Sequence, residues 1–73
     1  MKKSIYSKEY EYLTSQLKKA RLEAGYTQNK VSKLLKKSQS NISKVESGQI
    51  RLDVIQLREY AKLYRKDLYY FIG

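Results

Sequence analysis

The stretch from Gln39 to Ser47 carries the side chains best suited to chemistry. Gln39, Ser40, Asn41, Ser43, Lys44, Glu46 and Ser47 are interrupted only by Ile42 and Val45. Two apolar residues are too thin a stripe to hold a helix alone, so neighbouring segments must hold it. The outward groups are mostly uncharged hydrogen-bonding side chains with one Lys, where an ordinary solvated face would mix Glu and Lys. Such a face offers hydrogen bonds to a polar partner. Around it, between Thr27 and Arg51, five Lys and one Arg stand against one Glu. That excess reads as a rim facing phosphates.

The whole chain leans the same way, with 16 Lys plus Arg against 7 Asp plus Glu, a net +9 on 73 residues. It has no Cys, His, Trp or Pro. Thiolate chemistry, disulfides, zinc fingers and imidazole catalysis are therefore excluded together. The remaining Glu, Asp, Ser, Lys and Tyr form no paired carboxylates in a plausible cleft and no nucleophile–base pair. An enzyme is not expected, and neither a cofactor nor a metal is called for. No apolar run approaches the roughly 18 residues of a membrane span. The start, Met1 to Tyr6, is basic but lacks the apolar stretch of a secretory signal. A cytoplasmic protein with a polyanionic partner is expected.

At this length one domain is expected over residues 1–73, with a small core. Apolar residues recur at helical spacing and strict alternation is absent, so the class is all-α. Tyr10, Leu13, Leu17, Ala20 and Ala24 make one stripe, capped by Ser7 and ended by Gly25. A second segment from Gln28 to about Lys36, capped by Thr27, buries Val31, Leu34 and Leu35. A third, Gln39 to Ser47, is capped by Ser38 and stopped by Gly48. A fourth, Val54 to about Tyr64, has Asp53 and Gln56 at the positions of a capping box, with Val54, Leu57, Ala61 and Tyr64 inward. A last turn, Leu68 to Ile72, follows Asp67. Leu17, Val31, Leu35, Ile42, Val45, Leu57 and Ala61 should share one centre. Tyr10, Tyr26, Tyr60 and Tyr64 should join it with their hydroxyls at the rim.

The second and third segments are joined only by Lys37 and Ser38, so they must cross at a large angle, as a helix-turn-helix does. Gln28 opens the pair, Ser32 is small enough for close approach, and Ile42 anchors the second helix. Tight helix pairs serve many small domains, and the spacing alone does not decide for DNA. The residues do more. Arg21, Gly25, Tyr26-Thr27-Gln28, Ser32, Leu35, the block Ser38 to Gly48, Asp53 and Ala61-Lys62-Leu63 make the run Leu17 to Phe71 resemble the Cro/phage-repressor (Xre-type) helix-turn-helix family. The resemblance implies a compact five-helix, lambda-repressor-like domain that binds double-stranded DNA. Its helix-turn-helix motif would span 28–47, with the recognition helix at Gln39–Ser47. The chain departs from the family pattern at Ser32 (usually Ala), Lys36 (usually Gly) and Leu52 (often Pro). If the position of Lys36 needs φ > 0, that departure costs roughly 1 kcal/mol or more.

The resemblance also implies roles. Gln39, Ser40 and Lys44 match positions that enter the major groove, where Gln pairs with adenine and Lys reaches guanine. Gln28 matches a residue near a phosphate at a helix N-terminus. Asn41 and Ser43 match positions that contact a phosphate or a base edge. Ser47 and Arg51 flank Gly48, where the family grips the backbone, though Arg51 also suits a solvated loop. Lys33 and Lys36 belong to the phosphate-facing rim. Arg21 and Glu46 match an ion pair that fixes the recognition helix. In small family members the last helix often forms the dimer contact, here Leu68, Tyr69, Phe71 and Ile72. The expectation is a homodimeric transcriptional regulator, a repressor for instance, with no membrane partner. The main alternative is an antitoxin-type module that binds a protein partner, with DNA secondary. A membrane-surface basic peptide is disfavoured because the lysines do not share one face of one helix.

Overall fold

Each helix starts on a side-chain cap. Ser7, Thr27, Ser38, Asp53 and Asp67 accept from the backbone N–H three residues on, those of Tyr10, Lys30, Asn41, Gln56 and Tyr70. In the computed structural model, which describes residues 7–73, these caps open α1 (Lys8–Glu23), α2 (Gln28–Leu35), α3 (Gln39–Glu46), α4 (Val54–Tyr64) and α5 (Leu68–Ile72). Met1 to Tyr6, read above as a basic start, lie outside the described residues. At Asp53 the box is reciprocal: the Gln56 N–H reaches Asp53 Oδ1 at 2.8 Å and the Asp53 N–H reaches Gln56 Oε1 at 3.2 Å. Each such cap is worth about 1 kcal/mol. Among the described residues there is no strand, and no helix is long and apolar enough to cross a membrane.

The helices stop in left-handed turns. Gly25 at φ 78° follows α1 and Gly48 at φ 84° follows α3. Two turns do the same without glycine: Lys36 after α2 and Arg65 after α4, each at φ 59°. The departure at Lys36 is therefore strained, and Arg65 carries a second strain that the sequence pattern does not announce.

α1 is the hub, packing on α3, α4 and α5, while α2 packs chiefly on α3. The core comprises Leu13, Leu17, Ala20, Val31, Ile42, Val45, Leu57, Tyr60, Ala61, Tyr64 and Phe71. Leu17, Val31, Ile42, Val45, Leu57 and Ala61 thus lie where expected, and Leu35 is only half-buried against them.

Four expectations need correction. Val54 is 62% exposed, because it is the first residue of α4 and its turn overruns the core. Leu34 is exposed, because α2 is held mainly by one helix and so buries a narrow arc. Ala24 is exposed as the residue that closes α1. The Tyr60 and Tyr64 hydroxyls are not at the rim. Both are buried with no hydrogen-bond partner among the described residues, as is that of Tyr70. Their rings instead fill the core, 6.1 Å apart at their centroids and tilted.

Candidate nucleic-acid interface

The turn between α2 and α3 sets the interface. Lys36 ends α2 in the left-handed region, and the Lys37 N–H then returns to Ser32 O at 2.8 Å. Ser38 restarts the chain as the cap of α3. Ser32, buried and small, lets the two helices approach, its hydroxyl satisfied by Asn29 O at 2.7 Å. Ile42 and Val45 point into the core and are essentially fully buried. The opposite side of α3 is thereby turned outward. Gln39, Ser40, Ser43 and Lys44 are exposed and Asn41 is half-buried. None of these five side chains hydrogen-bonds within the described residues, so their donors and acceptors are open to a partner. Helix α3 ends one residue earlier than expected, at Glu46, with Ser47 as its C-cap.

One buried charge pair fixes the pose of α3. Arg21 Nε lies 2.7 Å from Glu46 Oε2, with the two side chains 9% and 5% exposed. Arg21 Nη2 donates to Glu46 Oε1 at 3.2 Å, making the contact bidentate, and Arg21 Nη1 donates to Tyr26 O at 3.0 Å. α1, the α1–α2 turn and α3 are joined by a single guanidinium.

Gln28 adds to this knot. Its Nε2 donates to Glu46 Oε1 at 3.1 Å, so the side chain matched to a phosphate position is half-buried and held inside the protein. Ser47 is also engaged, its hydroxyl donating to Lys44 O at 3.1 Å.

Arg51 sits in the loop after α3, its guanidinium 4.5 Å from the centre of the Tyr10 ring. Tyr10 pins that loop: its hydroxyl donates to Ile50 O at 3.2 Å and accepts from the Leu52 N–H at 3.1 Å. Sequence reading placed Tyr10 in the core and missed this role. The partners lie 40 and 42 residues away, and no local pattern signals them. Lys33 and Lys36 are exposed beside the α2–α3 turn. Lys18 was also missed. It lines a groove with Arg21, Gln28, Ser43, Glu46 and Ser47. The available signal was its place three residues before Arg21, on the same helical face.

The expected dimer contact divides in two. Tyr69 and Ile72 are 75% and 57% exposed and Leu68 is half-buried. Phe71 is fully buried and belongs to the core of its own chain, so it is withdrawn from that contact. On so short a helix only alternate residues reach the surface.

Comparison with known families matches residues 17–71 to the helix-turn-helix family (HTH_3, the Xre/Cro type). Comparisons with curated proteins and with solved structures returned no match. The matched region takes in the buried ion pair, both helices of the motif, the pinned loop and α5. The chain belongs to the Xre/Cro-type helix-turn-helix family of DNA-binding domains.

Proposed function

We propose that the protein is a small transcriptional regulator that binds duplex DNA sequence-specifically as a homodimer. Helix α3 enters the major groove of each half-site, with Gln39, Ser40 and Lys44 at the base edges. Lys33, Lys36 and Arg51 face phosphates, and Asn41 and Ser43 stand at the border between the two. The observation that carries this reading is the bare outer face of α3. Five polar side chains there lack any intramolecular partner, on a helix whose pose is fixed by the buried Arg21–Glu46 pair. Side chains left open on a rigid helix suit direct readout.

Tyr69 and Ile72, with Leu68, are the surface of α5 that remains for a two-fold contact. Such a dimer would set the two reading helices about one duplex turn apart, roughly 34 Å. Selection of bound sites from random duplex DNA tests the proposal. The expected result is a pseudo-palindrome with half-sites one turn apart. In a Tyr69→Glu variant the fold should persist while the preference for two half-sites over one is lost. Failure of the selection to enrich any sequence would contradict readout. Enrichment of a single half-site by the wild type would contradict the dimer.

A further inference from the structure

The groove behind the reading face is lined by Lys18 of α1, Arg21, Gln28 at the start of α2, and Ser43, Glu46 and Ser47 along α3. It is an open concavity of about 260 Å³, below the size of a typical small-molecule pocket. Its charges do not cancel. Glu46 is taken by Arg21, with both carboxylate oxygens occupied. That leaves Lys18 as the unneutralised charge, with no ion-pair partner among the described residues.

Two hydrogen-bond donors face the same space. The Ser43 hydroxyl makes no bond within the described residues. Gln28 Nε2 carries two protons and gives one to Glu46. Ser47 lines the groove without offering a proton, since its hydroxyl is already turned to Lys44 O. A lone cation with two donors suits a singly charged oxyanion. Ser43 also belongs to the outer face of α3, so the groove opens onto the surface proposed to read DNA.

We propose that this groove seats one backbone phosphate of the duplex, with Lys18 as its counter-charge and Ser43 and Gln28 as its hydrogen-bond donors. The site rests on the duplex-DNA reading above and adds a contact from α1, outside the helix-turn-helix motif. It would clamp the DNA backbone on the α1 side of α3, where the Arg21–Glu46 pair holds the two helices in register. Gln28 then acts on DNA only by the proton that Glu46 leaves free.

The test compares wild type, Lys18→Gln and Lys62→Gln across a salt series on one duplex. Lys62 is an exposed cation of α4 that lines a separate concavity with Ile55, Arg58 and Glu59. Lys18→Gln should weaken all duplexes by the same factor and make the log–log salt slope shallower by about 0.9. Lys62→Gln should leave the slope unchanged. A second measurement replaces single phosphates by uncharged methylphosphonates. One position per half-site should weaken the wild type and have no further effect on Lys18→Gln. A wild-type slope in Lys18→Gln, or an equal loss in Lys62→Gln, would overturn the site while leaving the duplex-binding reading intact. A wild type that binds no duplex would overturn that reading, and the site with it.

Discussion

Arg21 is 8% exposed, and its charge is tolerable there only because every direction of its guanidinium meets an acceptor. Taking away Glu46 would strand that cation. Glu46→Ala should therefore cost about 3–5 kcal/mol, comparable to the whole stability of so small a domain. Urea unfolding checks this, and a variant with the wild-type midpoint would mean that the pair is loosely held. The partners of this contact were legible because Arg21 and Glu46 stand at matching positions of a known pattern. The amide of Gln28 on Glu46 was not. It needs three separate elements to meet at one carboxylate, and nothing in the spacing of Gln28 distinguishes a phosphate contact from an internal one. Tyr10 was hidden for the same reason, since an aromatic on an apolar stripe reads as core whether or not its hydroxyl pins a loop.

At the scale of the elements, the caps were almost fully legible. Ser7, Thr27, Ser38, Asp53 and Asp67 are each of a type that accepts from the first turn, and each does so. The ends of apolar stripes were less so. Val54 and Ala24 keep helical spacing but lie at helix ends where no neighbour covers them. Periodicity gives a direction around the axis and says nothing of how far along it the partner helix extends. The turn at Lys36 was legible as a departure from the usual glycine, whereas Arg65 was not. Arg65→Gly should relieve that left-handed residue and stabilise the fold by about 0.5–1 kcal/mol, read as a higher denaturant midpoint with an unchanged slope. No gain would mean that the Arg65 side chain makes up the backbone cost. Lys36→Gly should stabilise likewise but weaken DNA binding, because it removes a cation of the rim.

Across the whole molecule, the tyrosine-filled core imposes a pH limit. Burial, with the negative charge of Glu46 adding to it, pushes the Tyr60 hydroxyl up to about 12, and burial raises Tyr64 further still. In the unfolded chain both would ionise near the ordinary value of 10.0. The folded protein therefore keeps protons that the unfolded one loses. The stability from these groups is full below about pH 10 and falls as pH rises toward their folded values. The slope is about 1.4 kcal/mol per pH unit for each tyrosine. Alkaline unfolding should begin above pH 10, with tyrosinate absorbance from the late-titrating rings appearing together with the loss of helix. Ionisation of all tyrosines before any loss of helix would contradict a closed core. Phe71 belongs to this same core, which is why α5 serves the fold first and leaves only its outer side chains for a second chain.

The account stands or falls on α3 as the reading surface, and Gln39 is its sharpest point. It is the first residue after the Ser38 cap, exposed, with no internal partner for its amide and no core contact to lose. The measurement is the affinity of wild type and Gln39→Ala for a selected operator and its single-base variants at one fixed salt. Gln39→Ala should cost roughly 1–3 kcal/mol on the preferred site and relax discrimination at one base position. Binding to random duplex should barely change, because the lysines supply it. A uniform loss across all variants, or no loss at all, would contradict readout by Gln39 and move the specificity away from this face of α3.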